Sequence, residues 1–511
     1  MAKTLRLILG DQLNSKHSWF QEKQKDYTYV LMECRSETDY VTHHIQKVLG
    51  FFAAMRAFAA HLSAEGHQTH YIKLNDEQNE SSITSNIEAL INVHGFERFE
   101  YQLPDEWRLD HALKELCERL SIPCKAYDTE HFYTHRNELK EMFADRKQLV
   151  MEYFYRNMRK KHDVMMVNGE PITGQWNYDA SNRKKLPKDW KVESPLLFSH
   201  DLSSIAAELE KADIKTIGNV DASNFIWPID REESVQLLQH FLKVCFRYFG
   251  DYQDAMSQEE WSLYHARISF SLNLKILSPK EVVDAAVEYW QAHQEEVDIS
   301  QLEGFVRQII GWREFMRGIY WWKMPEFAQM NFFEHKQPLP KWFWTGETKM
   351  ACMREAVKGS LDHAYAHHIQ RLMLTGNFAL LAGCDPDEVD QWYLGIYIDA
   401  IEWVEITNTR GMSQYADGGI VGTKPYVSGG SYVHKMGDHC THCHYDHKKK
   451  TGEGACPLNS LYWHFHDRHR DKLGNNPRIA MMYRTWDKMD QEKQAAYINQ
   501  AEEYLSKVDY I

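Results

Sequence analysis

A chain of 511 residues, 43% hydrophobic and 13% aromatic, has the material for roughly two to four domains with well-filled cores. Its net charge of −14 argues against a general polyanion binder while leaving room for local basic faces, and no apolar run reaches membrane-spanning length. Nine cysteines without a secretory pattern read as reduced thiols plus a metal site, so a cytoplasmic location is expected.

Residues 1–135 alternate β-rich runs with helical periodicity. Leu5–Leu9, Tyr27–Met32, His70–Leu74, Arg98–Leu103 and Lys125–Tyr127 are predicted strands; Val48–Leu62 and Trp107–Leu120 are predicted helices. This is the pattern of an α/β domain with a doubly wound parallel sheet. It lacks Gly-x-Gly-x-x-Gly, so a nicotinamide dinucleotide is not indicated. Ligands of such sheets bind beyond the C-terminal strand ends, here Gly10-Asp11-Gln12, Glu33 to Glu37 and Pro104 to Trp107, although short polar loops are equally ordinary turns.

Residues 136–235 read as a long connection. Met151–Lys161 is an aromatic and basic helix, followed by a turn-rich stretch to Lys188 that carries Trp176, Tyr178 and Asp179. Arg156, Arg159, Lys160 and Lys161, then Arg183, Lys184, Lys185 and Lys188, and later Lys448 to Lys450, form basic clusters; any one alone is more often a solvated face.

From residue 236 to 511 the pattern is all-α. Helices are predicted at Val235–Phe249, Tyr264–Leu274, Lys280–Ala292, Leu302–Trp322, Met350–Ala382, Asp387–Trp403, Cys456–Arg470 and Asp490–Lys507. Nine of the sixteen tryptophans lie beyond residue 300, which by composition alone means an aromatic core. Cys440, Cys443 and Cys456-Pro457 give a Cys-x2-Cys-x12-Cys-Pro run, and Cys352 is available as a fourth ligand. Spacing fits structural zinc, with imidazoles in reserve, about as well as an iron-sulfur cluster; the Cys-Pro ending leans to the latter.

Three motifs add to this reading. Gly311-Trp312-Arg313-Glu314-Phe315, the run Arg267 to Pro279, and His367-His368-Ile-Gln-Arg371 through Asn377 resemble the flavin-cradling segments of photolyases and cryptochromes. With the four cysteines, the chain resembles the iron-sulfur branch of that family, the bacterial cryptochromes and prokaryotic (6-4) photolyases. The resemblance implies an antenna-binding sheet domain and a helical FAD-binding domain.

It also implies residue roles. FAD phosphates would lie near His265, Arg267 and Ser269, and the ring system near Trp312, Arg371, Asp399 and Glu405, with Glu405 facing flavin N5. Trp392, Tyr393 and Trp344 would carry electrons to the flavin, and Cys352, Cys440, Cys443 and Cys456 would hold a 4Fe-4S cluster. A 6,7-dimethyl-8-ribityllumazine antenna would meet Asp11, Gln12, Glu37 and Glu106. The lesion pocket would use His367, His368 and Tyr426, with His368 the general acid, and a divalent cation near Asp179 is a further candidate. The implied activity is light-driven repair of (6-4) photoproducts in UV-damaged DNA by a monomer. The rivals are a blue-light photosensor with the same cofactors, and a DNA-binding protein with a purely structural metal.

Overall fold

Five parallel strands form one sheet in the order β3-β2-β1-β4-β5: β1 (Thr4–Leu7), β2 (Tyr27–Met32), β3 (Gln68–Ile72), β4 (Arg98–Gln102) and β5 (Cys124–Tyr127). The computed structural model describes residues 3–181 and 183–511. Both faces of the sheet are covered at its centre, where β1 is buried throughout and β2 over its last four residues. Along β2 the period of two shows in the partners. Tyr29 and Leu31 pack with Val48, Leu49 and Phe52 of α1 (Ile45–Ala64), while Val30 and Met32 pack with Ile87 and Leu90 of α2 (Ile83–His94). Connections run outward from β1 through β2 to β3 and then return to place β4 on the other side of β1. The crevice at β1 and β4 is therefore the switch point where such sheets bind ligands.

The stretch expected as a connection is shared out between the two cores. Met151–Lys161 buries Phe154, Tyr155 and Met158 in the helical core, whereas Ser203–Lys211, Phe225 and Trp227 pack against α1. Its basic clusters are also partly structural. Arg159 is fully buried, donating to Val164 O and Met165 O, and Arg156, Arg159 and Lys160 all approach the Trp176 ring.

The remaining chain is helical, and three predicted helices are interrupted. Tyr264–Leu274 becomes helical only at Ser269, because Arg267 has φ of 53°; Met350–Ala382 breaks at Ala364, with φ of 51°; and Asp387–Trp403 is split into Pro386–Ile396 and Glu402–Ile406. Left-handed backbone at a side-chain-bearing residue stops an α-helix. Besides Phe241–Cys245, helical stretches among the described residues widen into π-turns at Arg307–Arg313, Arg371–Gly376 and Thr407–Ser413. The last two cross so closely that a Cβ on Gly376 would lie 2.2 Å from Ser413 Oγ, which makes glycine obligatory there. Among the described residues no helix is long and apolar enough to cross a membrane.

Candidate functional site

The three helix interruptions converge. Ser269, first in its short helix, donates from Oγ to Asp399 Oδ2 at 2.6 Å, and Asn273 Nδ2 donates to Asp399 O at 2.6 Å. Arg371 Nη2 donates to both carboxylate oxygens of Asp399, at 3.0 and 3.2 Å, while its Nε donates to Ala366 O and its guanidinium lies 3.8 Å over the Tyr397 ring. Burial works against the Arg371 charge, but Asp399 outweighs it and the pKa is raised. Glu405 is buried beside this pair, accepting from Thr409 Oγ1 at 2.8 Å, and desolvation raises its pKa. Trp312 is half-buried in the Arg307–Arg313 π-turn.

Two imidazoles and a guanidinium flank this ion pair. The His265 and His367 rings stack at 4.6 Å and 8°, and both nitrogens of His367 and Nε2 of His265 lack partners. Burial pushes His265 down to about 4, with His368 adding to it, and pushes His367 well below its usual range, helped by His265, His368 and Arg371. Arg267 is buried and donates from Nη2 to Leu196 O, and burial lowers its pKa. Orphaned imidazoles and a buried guanidinium bonded to a backbone carbonyl suit an anion such as a diphosphate, so these residues fit the FAD expected from the sequence.

His367 and His368 are not two positions within one helix, as their sequence suggests. The break at Ala364 makes His367 the residue before the helix, its backbone N–H donating to Gln370 Oε1, and His368 the first helical residue. His368 is open to solvent at the mouth of the site, yet the surrounding protein and Arg371 push it down to about 4. An anion brought into the site would shift it back up. Tyr426 is half-buried, and besides burial it feels Arg478, Asp179 and Arg183, which sets it toward the basic loop.

An aromatic path leads outward from Tyr397. Tyr393 donates to Arg371 O at 2.7 Å and its ring lies 5.7 Å from Tyr397; Trp392 follows at 5.1 Å from Tyr393. The ring packed against Trp392 is Phe343, at 5.1 Å, whereas its neighbour Trp344 is 44% exposed at the surface. Sequence reasoning missed Tyr397 and Phe343; each adjoins or lies near a named aromatic, and that adjacency was the available signal.

At the sheet's switch point a cavity is lined by Asp11, Glu37, Glu106, Cys34, Phe51 and Met55 and reaches Ala400 to Glu402, next to Asp399. Arg108 bridges Glu37 at 2.6 Å and Glu106 at 2.7 Å. Burial pushes Glu106 up to about 8, against Arg108 and with help from Glu37 and Glu402. Gln12 does not line this cavity. It is fully buried, accepts from Leu9 N at 3.0 Å and donates to Gln102 O at 3.2 Å, so its amide is used to tie the ends of β1 and β4 together. Lys275, from the run Arg267 to Pro279, is a missed residue: its ammonium pairs with Asp11 at 2.8 Å and Asp105 at 3.0 Å and joins the sheet to the helices.

Cys352, Cys440, Cys443 and Cys456 line one small cavity. Cys352 sits in the first turn of Ala351–His363, and Cys456 immediately precedes Pro457–Arg468. Ala351 N and Tyr445 N donate to Cys443 Sγ at 3.5 and 3.4 Å. Burial pushes up the thiols of Cys352, Cys440 and Cys456, to about 11 for Cys440 and about 12 for Cys456. Among the described residues, ligand atoms of His434, Cys440 and His447 lie within 4.8 Å of one another.

Comparison with known proteins agrees with this geometry. Residues 6–225 match the family described as "Deoxyribodipyrimidine photo-lyase-related protein". A (6-4) photolyase of Agrobacterium fabrum is 40% identical over 509 residues, covering 99% of each chain. The fold is similar to that of a bacterial class III photolyase from Agrobacterium tumefaciens, with a TM-score of 0.60 at 13% identity over 99% of this chain and 98% of the other. A Synechocystis cryptochrome is similar at a TM-score of 0.52 and 12% identity, over 80% and 82%.

Proposed function

We propose a function from one premise: the chain belongs to the (6-4) photolyase family. On that premise it is a light-driven, FAD-dependent DNA lyase that reverses (6-4) pyrimidine-pyrimidone photoproducts in UV-damaged DNA. The observation that carries the reading is the stacked, buried pair His265 and His367, with unpartnered ring nitrogens, beside the Arg371–Asp399 ion pair.

FAD supplies the light-driven electron when bound. Arg267, Ser269 and His265 would hold its phosphates, and Arg371, Asp399, Glu405 and Trp312 would hold its ring system. Glu405, whose pKa is raised by burial, accepts or returns a proton there. Trp392 and Tyr393, buried and in ring contact, relay electrons from Trp344 at the surface. The lesion is flipped out of the duplex into the pocket, a distorted base resisting extrusion less than a normal one. His367 and Tyr426 line its walls, and His368 delivers the proton that lets the transferred hydroxyl or amino group return to its original ring. Flanking phosphates meet the exposed cations of the basic loop, where Arg183 pairs with Asp179, the site of a divalent cation if one assists.

A 4Fe-4S cluster in the cysteine cavity is supported by spacing. The Cys-x2-Cys-x12-Cys-Pro run and Cys352 line one cavity, and the Cys-Pro ending is that of ferredoxin-type runs. The cluster staples the long 440–456 loop to the helix bearing Cys352. A ribityllumazine antenna suits the switch-point cavity, with Glu37 and Glu106 as polar contacts and the flavin residues beside its far end.

The test is illumination of the purified protein with DNA carrying a defined (6-4) or cyclobutane lesion. Restoration of the (6-4) lesion is expected, and its loss in His368→Asn by about 10² to 10⁴ in rate with FAD retained. Photoreduction of bound flavin without any (6-4) repair would refute the lyase and favour a photosensor.

A further inference from the structure

His439 is 1% exposed, and neither ring nitrogen has a hydrogen-bond partner. An imidazole carries an N–H in every protonation state found in proteins, and a buried donor left unmatched is rare enough to require an explanation. Its backbone is well fixed: His439 O accepts from Gln258 Nε2 at 3.2 Å, and Gln258 N donates to the adjoining Asp438 Oδ1 at 3.0 Å. Gly437 leaves room for the ring, since a Cβ there would lie 2.9 Å from His439 Nδ1. The side chain is thus held by design in the wall of the cysteine cavity, in the same short turn as Cys440.

Two other imidazoles nearby are differently engaged. His434 and His447 stack on each other at 3.8 Å toward the solvent side, His434 being exposed. The side chains lining the cavity offer one oxygen, the Tyr445 hydroxyl, against four sulfurs, and the Asp438 carboxylate, 3.9 Å from His439 Nδ1, stands beyond hydrogen-bond reach. The acceptor that matches a donor in such a place is sulfur.

We propose that His439 donates a hydrogen bond to a sulfur of the iron-sulfur group, a Cys thiolate or an inorganic sulfide, and thereby tunes it. The inference rests on the cluster reading above. An N–H···S bond draws electron density from sulfur, weakens the adjacent Fe–S bond and favours the more negative, reduced state. His439 is then the residue that raises the cluster's potential above that of a cavity walled only by apolar groups.

Iron, acid-labile sulfide and the visible spectrum of the full-length protein come first; absence of iron defeats the cluster reading itself. With the cluster present, resonance Raman spectra are compared for the unmodified protein, His439→Phe, which removes the donor, and His439→Gln, which keeps an N–H. Fe–S stretching bands shifted upward in His439→Phe and restored in His439→Gln support the donor. Loss of the cluster in His439→Phe but not in His439→Gln supports it as well. Unmoved bands in His439→Phe, equal shifts in both variants, or cluster loss in both would overturn the inference while leaving the cluster reading intact.

Discussion

Removing the Asp399 carboxylate isolates a charge at the centre of the site, and the cost is calculable. Arg371 is 17% exposed and Asp399 9% at their side chains, so the pair is buried enough that deleting one partner costs more than the pair itself contributes. In Asp399→Asn, Arg371 loses its direct ion pair and keeps Ala366 O, the Tyr397 face and the more distant Glu405 as opposing groups. Breaking a buried pair costs 3–5 kcal/mol, and residual solvent contact places this case at the lower end, about 3 kcal/mol. The helical part has roughly 280 residues, and at about 2.1 cal/mol/K each its unfolding entropy is about 0.6 kcal/mol/K, which gives a melting point lowered by about 5 °C. Calorimetry on flavin-free protein measures this directly, and the fluorescence of released flavin on heating reports the holoprotein. A double variant, Arg371→Met with Asp399→Asn, should melt closer to the unmodified protein than Asp399→Asn does, because no uncompensated charge remains. A melting point unchanged by Asp399→Asn, or a double variant less stable than the single, would refute the reasoning.

Cys352→Ser should lose iron and yield insoluble protein, because metal binding energy is folding energy for the loop it closes; one zinc and no iron per chain would count against the cluster. Trp392→Phe and Trp344→Phe should slow photoreduction while FAD stays bound, since aromatic replacement conserves most packing; unchanged photoreduction in both would mean another electron route. Leu109→Trp, which fills the switch-point cavity from its wall, should remove the absorption of any second chromophore without altering FAD content. Release of FAD alone from native-source protein would rule that chromophore out. Repair should quicken as pH falls from 8 toward 6, because a His368 held near 4 gains protonated form over that whole window; a repair rate flat with pH would remove His368 as the acid.

Periodicity by itself determined the five strands to within a few residues, the parallel sheet, and the existence of most helices, because burial on one or both faces leaves a direct imprint on residue type. The Cys-x2-Cys-x12-Cys-Pro run was equally legible, its ligand chemistry being local in sequence. What only the tertiary structure decided is the location of the site within the helices. Ser269, His368 and Asp399 each lie at or just beyond an interruption in what reads as one continuous amphipathic helix, at Arg267, Ala364 and 397–401. The hydrophobic pattern runs through those breaks because the residues on both sides are buried, and it carries no record of backbone direction. Gln12 shows the same limit at the strand ends: a polar residue in a ligand-binding loop is spent on bridging β1 and β4, a use fixed by 90 residues of intervening chain that bring Gln102 beside it. His439 shows it in reverse. In the sequence it is one histidine among several around the cysteines, and only burial without a partner distinguishes it from the others.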